Sequence, residues 1–285
     1  MNHHTRWAAP ALLTVAAFWG GAFVVMKTAI EAQPIYDFLA TRFTIATLVM
    51  ILARPSVIKK FKPELLKYGA VLGLLLGGGY ITQTIALQQT TAAITGFLTG
   101  LYVVLTPLIS FVLFRKKLDK KIAGGVALAT VGLALISVNG FSVEAGQLWG
   151  ILCALLFAAH FVGLGAWSPG RDVYALTVVQ LGTMAVMTWI GALVDGYQPP
   201  PNGEVWFAVI FTAVLATAVA FFVQTWAQSQ IDASRVAIIL TSEIVFAALF
   251  SVLVGQETLS LKTTVGGALM IGSMLLIEWP TKVKR

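Results

Sequence analysis

Long apolar runs separated by short polar connections dominate the chain. Runs of about 20 apolar residues, the length that crosses a bilayer as a helix, fall at 8–30, 34–53, 68–89, 92–114, 122–139, 147–167, 174–195, 205–227, 236–254 and 261–279. None shows the strict alternation of a transmembrane β-strand. The expected fold is therefore an all-α integral membrane protein with ten transmembrane helices. The longest connection runs from Arg54 to Lys67, too short for a soluble catalytic, nucleotide-binding or sensing domain. The first run is too long for the apolar core of a signal peptide and no small-residue cleavage site follows it, so it is expected to stay in the protein.

Within this pattern the chain repeats itself. Gln83-Thr84-x-Ala86 recurs as Gln224-Thr225-x-Ala227, 141 residues later. Keeping that offset from 83 to 136 without a gap gives 15 identities in 54 positions, against roughly one match in ten from apolar composition alone, which points to a duplicated unit. Two units are expected, residues 1–140 and 141–285, with five spans each. Five is odd, so the second copy enters the membrane upside down relative to the first. Inverted repeats around a central cavity are an architecture of secondary transporters, whose site lies between the halves.

Composition agrees: 58% hydrophobic and 11% charged residues with a mean hydropathy of +0.86 exclude an ordinary soluble domain, which carries about a quarter charged residues. The net charge of +7 sits on alternate loops. With the N-terminus cytoplasmic, 16 of the 19 basic residues lie on the inner side, including clusters at 54–67 and 115–121. The positive-inside rule then places both termini in the cytoplasm, and the charge marks topology rather than a nucleic-acid partner. The single Cys153 cannot form an intramolecular disulfide, and no Cys/His grouping has metal-ligand spacing. No cofactor or metal is expected.

Most Trp and Tyr residues fall at predicted interfaces, where aromatic belts form. Trp19, Tyr80 and Tyr102 remain at depth, and their polar atoms require a partner or water there. At 100° per residue, Thr91, Thr95, Thr99, Tyr102 and Thr106 share one face of span four, which reads as a water-facing wall or as interhelical Thr packing. Span three puts Tyr80, Gln83 and Thr84 on one face, and span eight puts Thr217, Phe221, Gln224 and Gln228 on another. Tyr80 pairs with Phe221 and Gln83 with Gln224 under the 141 offset. On span six, Trp149, Cys153, His160 and Trp167 share a face, and a shift of 138 pairs Trp19 with Phe157. The candidate substrate-binding set is Trp19, Tyr80, Gln83, Thr84, Thr95, Thr99, Tyr102, His160, Phe221 and Gln224, in a cavity bounded by spans one, three, four, six, eight and nine.

Ionisable groups at mid-depth are costly and merit a functional reading. Arg42 and Glu243 lie on otherwise apolar faces, off any polar stripe, and are expected to serve as a structural ion pair, as caps of helix-break carbonyls or as proton-coupling groups, with Glu243 pointing away from the cavity. His160 lies on a cavity face, either as a titrating group or as a neutral hydrogen-bonded core histidine. Gly77-Gly78-Gly79 in span three and Pro107 in span four are candidate points of helix bending, with tight packing as the other reading of the glycines.

The residues also resemble a family. Trp19-Gly20-Gly21-Ala22-Phe23-Val24-Val25-Met26-Lys27 is similar to the first-span signature of bacterial EamA-type carriers in the drug/metabolite transporter superfamily. Pro34 followed by Arg42, and Ala86-Leu87 leading to Thr91-Ala92-Ala93 and Pro107, fit the same pattern. The chain departs from it at Ala248, the mate of Pro107, and at Ile244, where many members place Pro after the glutamate. The resemblance implies a ten-helix carrier of the bacterial inner membrane that moves small organic solutes, with amino-acid and metabolite exporters prominent. The expected function is export of such solutes, amino acids including aromatic ones, by alternating access, with the lipid bilayer as surroundings and a monomer as the working unit. Drugs, quaternary amines or nucleobases are the alternative cargo. An enzyme would need a nucleophile and base or paired carboxylates at reachable depth, and His160 has no acidic partner in its own span.

Overall fold

A computed structural model describes residues 7–89, 92–115, 119–137, 145–254 and 261–278. Among them the only regular structure is helical. In chain order the helices are α1 (Ala8–Ala32), α2 (Ile35–Ala53), α3 (Pro63–Gln89), α4 (Ala92–Gly100), α5 (Tyr102–Phe114), α6 (Lys120–Ser137), α7 (Ala145–Trp167), α8 (Val173–Ala192), α9 (Gly203–Ala213), α10 (Ala220–Gln228), α11 (Ala233–Leu240), α12 (Glu243–Leu253) and α13 (Leu261–Glu278). A π-turn, Val214–Val219, joins α9 to α10, and a 3₁₀ turn, Pro55–Lys60, follows α2.

Local chemistry sets the ends. Asp172, Asn202 and Asp232 each accept a hydrogen bond from a backbone N–H of the helix they precede, at 3.1, 2.9 and 2.9 Å, the usual device for satisfying first-turn donors. Pro34 separates α1 from α2, since it disfavours helical geometry in the residue before it. Among the described residues seven segments are long and apolar enough to cross a membrane, and Leu98–Phe114 and Thr264–Ser273 are shorter apolar helices.

The burial pattern is inside out relative to a water-soluble protein. Leu52, Val112, Ile190 and Leu253 are well exposed, whereas Arg42, His160, Gln180 and Gln224 are buried. Such a surface suits hydrocarbon as solvent, with backbone polar groups satisfied inside each helix. Helix α6 runs along α13, α2 along α8, α3 along α7 and α8, and α1 along α12 and α9. Glycine permits the closest approaches: a Cβ at Gly132 would lie 2.6 Å from the Gly266 carbonyl oxygen, and one at Gly73 2.6 Å from that of Gln180.

Two expectations about bending need correction. Helix α3 continues unbroken through Gly77-Gly78-Gly79, and a Cβ at Gly79 would strike the Phe157 ring at 2.3 Å. These glycines make room for α7 and α8. In span four the interruption falls at Leu101, ahead of Pro107, which sits inside α5. Span nine is likewise interrupted, at Thr241 and Ser242 between α11 and α12.

Candidate functional site

The middles of α1, α3 and α7 and the start of α10 bring their aromatic residues to one point in the interior. Trp19 lies against Phe221 with ring centroids 5.5 Å apart, and Phe157 lies against Tyr80 at the same separation. Tyr80 and Phe221 meet edge to face at 6.0 Å and close the cluster. Such tilted and edge-to-face contacts are favoured by the ring quadrupoles. Phe161, one turn beyond Phe157, stacks on Tyr102 at 5.1 Å.

Around this cluster is a narrow cavity of about 60 Å³. Its wall carries Trp19, Tyr80, Gln83, Thr84, Tyr102, Phe221 and Gln224, and also Arg42 and Glu243. Ala22, Phe23, Met26, Leu76, Leu87, Phe157 and Phe161 supply most of the remaining apolar lining. The space holds a few waters, and a solute of drug or metabolite size requires a pocket several times larger. Entry of such a solute therefore requires the aromatic side chains to part.

The π-turn shapes one wall. The Ala216 carbonyl accepts the Trp19 indole N–H at 2.8 Å and lies 3.5 Å from an Arg42 terminal nitrogen. Turns of this winding release backbone carbonyls to outside donors and recur at functional sites. Arg42 also donates through Nε to the Thr217 hydroxyl at 2.8 Å and reaches the Met26 sulfur at 3.2 Å. Its guanidinium carbon stands 5.0 Å from the Tyr80 ring centroid, within cation–π range.

The amides are only partly satisfied. Gln83 donates to the Thr99 hydroxyl at 3.4 Å. Gln224 donates to Gln228, which donates to the Phe161 carbonyl, at 3.0 and 2.7 Å. The Gln224 Oε1 atom is buried without a partner among the described residues, so an acceptor stands open beside the aromatic cluster.

Residues 6–138 and 144–279 both match the EamA-like transporter family. The chain belongs to that family. It is 32% identical to an uncharacterized transporter of Archaeoglobus fulgidus over 94% of this chain and 84% of that one. It is 25% identical to the uncharacterized transporter YoaV of Bacillus subtilis over 91% and 92% of the two chains. A WAT1-related chloroplastic protein of Arabidopsis thaliana is 24% identical over 94% of this chain and 69% of its own length. A crystal structure covering 95% of this chain and 98% of its own superposes with a TM-score of 0.81 at 19% identity, a likeness of fold. This EamA-like transporter is thus a multi-pass membrane protein of a transporter family.

Three residues expected in the cavity of the transporter are placed elsewhere. Thr95 and Thr99 are buried outside the lining, and Thr99 lies 3.7 Å from the Cys153 sulfur on α7. His160 is buried between α7 and α8, 2.8 Å from Gln180 Oε1 through Nε2. Its Nδ1 has no partner among the described residues. Thr91 lies outside the described residues. Conversely, Arg42, expected off any polar stripe, and Glu243, expected to point elsewhere, both line the cavity. They are not ion-paired with each other: Glu243 instead receives the Tyr102 hydroxyl at 3.5 Å. Phe157 and Phe161 take the place on α7 assigned to His160; the pairing of Phe157 with Trp19 under the 138 shift was the signal available for the first, and none marked the second.

Proposed function

We propose that this chain is a ten-span secondary carrier of two inverted halves, residues 1–140 and 141–285, which exports small organic solutes across a bacterial inner membrane by alternating access. Amino acids, including aromatic ones, are its cargo. The observation that carries this reading is the aromatic cluster. Trp19 against Phe221 and Phe157 against Tyr80 are contacts between residues that exchange under the 138 and 141 offsets, and both have ring centroids 5.5 Å apart.

The helix packing supports the same exchange. Contacts of α1 with α12 and of α7 with α5 are counterparts, and α2 with α8, and α6 with α13, are each their own counterpart. Both family matches, at 6–138 and 144–279, fall one to each half. Within the family the residues resemble the exporter of aromatic and other amino acids known as YddG. An apolar, aromatic box with two amides suits a small solute with a variable side chain. Inward and outward exposure would alternate as the halves rock about the cavity.

A second reading, efflux of quaternary amines or other cationic drugs, draws on Glu243, a carboxylate in an aromatic-lined cavity. Arg42 on the same wall opposes it by like-charge repulsion. Counterflow in proteoliposomes with labelled amino acids, nucleobases and quaternary amines decides between them. Exchange of amino acids supports the first reading, exchange of the amines alone supports the second, and no exchange of any amino acid removes the first. Gln83→Ala and Gln224→Ala are each expected to impair that exchange while leaving insertion intact.

A further inference from the structure

A buried guanidinium and a buried carboxyl group stand on one small wall without pairing with each other. Arg42 is 1% exposed. Of its acceptors only the Thr217 hydroxyl is both close and strong; the Met26 thioether is a weak acceptor and the Ala216 carbonyl sits at the 3.5 Å limit. No carboxylate among the described residues lies within ion-pair distance of it. A guanidinium taken out of water in this way is held at a cost that a hydrogen-bonded anion offsets. Glu243 is likewise buried, and among the described residues its side-chain partner is Tyr102, at the long contact through Oε1. Tyr80, in the middle of the cluster, lies within electrostatic range of both.

We infer that Arg42 and Glu243 form a split charge reader: Arg42 takes the carboxylate of a zwitterionic amino acid, Glu243 takes its ammonium, and the aromatic cluster takes its side chain. The inference rests on the amino-acid reading above and deepens it. The two charges stay apart because the solute completes the pair. The planar guanidinium presents terminal N–H groups in the fork that matches a carboxylate. The Glu243 carboxyl group begins α12, where the helix dipole favours negative charge, and an ammonium arriving beside it favours the ionised, accepting form. A cation alone meets Arg42 repulsion and an anion alone meets Glu243 repulsion, which excludes both.

The test uses the full chain in proteoliposomes, with labelled L-phenylalanine in counterflow and competitors that lack one group. Phenethylamine lacks the carboxylate and 3-phenylpropionate lacks the ammonium. In the wild type each is expected to compete roughly tenfold or more weakly than unlabelled L-phenylalanine, the loss of one charged hydrogen-bonded contact. Arg42→Gln is expected to erase the penalty for phenethylamine and keep that for 3-phenylpropionate; Glu243→Gln is expected to do the reverse. If L-phenylalanine and the rest of an amino-acid panel fail to exchange, the amino-acid reading falls and takes this inference with it. If they exchange while both analogues compete as well as L-phenylalanine, the charge reader alone is overturned, a result that needs no variant. Arg42→Lys guards against misfolding of the glutamine variant: it keeps the charge but loses the fork, and is expected to weaken L-phenylalanine while still ranking it above phenethylamine.

Discussion

The hydroxyl of Tyr102 donates to the carboxylate of Glu243 at 3.5 Å, and the two residues are 141 positions apart, the interval that separates Gln83 from Gln224. Each is the first residue of the second helical piece of its span, α5 or α12. The two interruptions therefore face each other across the interior. Tyr102→Phe is expected to lower stability by about 0.6 kcal/mol, the typical worth of an interhelical hydrogen bond in a bilayer protein. Thermal unfolding in detergent measures it, and a shift several times larger would mean that the contact also holds the two interruptions in place.

Gly20 lets α1 pack directly against the backbone of α12. A Cβ there would lie 2.6 Å from the Phe246 Cβ and 2.7 Å from both the Ala247 nitrogen and the Glu243 carbonyl oxygen. Backbone cannot yield as a side-chain tip does, so Gly20→Ala is expected to destabilise by roughly 1–3 kcal/mol. Gly96→Ala is the control: nothing lies within 4 Å of its Cβ, and the change is expected to be neutral or stabilising by up to about 1 kcal/mol through helix propensity. Equal melting temperatures for the two variants would contradict the packing.

Thr217→Val removes the short acceptor of Arg42 Nε while keeping the shape of the side chain. A buried charged donor is then left with weak partners, and stability is expected to fall by about 1.5–3 kcal/mol. The same variant paired with Arg42→Gln closes a double-mutant cycle. A coupling energy near zero would show that the hydroxyl does not hold the guanidinium.

The lone thiol makes the orientation measurable. Cys153 is fully buried, so unmodified protein is expected to resist membrane-impermeant maleimides. In a Cys153→Ala background, Asn202→Cys is expected to label from outside intact cells and Lys59→Cys only after permeabilisation. The opposite pattern would invert the topology read from the basic loops.

The positions of the helices were legible because apolar length in a bilayer leaves little choice of secondary structure. The aromatic and amide lining from α3 and α10 was legible too, since Tyr80, Gln83, Phe221 and Gln224 each sit on an unbroken helical stretch where 100° per residue holds. That rule fails across an interruption. Glu243 was assigned the face of Ile239, but Thr241 and Ser242 reset the winding between them. Leu101 does the same between Thr99 and Tyr102. Arg42 escaped for another reason: its long side chain leaves the apolar face of α2 and ends beside Ala216 and Thr217, a reach that spacing along the helix does not encode.

The π-turn at Val214–Val219 has a consequence for phase. Wound as ordinary α-helix instead, the same six residues would turn α10 by roughly 100° further relative to α9. Phe221 and Gln224 would swing off the cavity together while Val205 and Ala208 kept their seats in the core. Composition, hydropathy and span length would be almost unchanged. What such rewinding removes is angular alignment, and the solute-facing side of the second half depends on it as much as on the residues themselves.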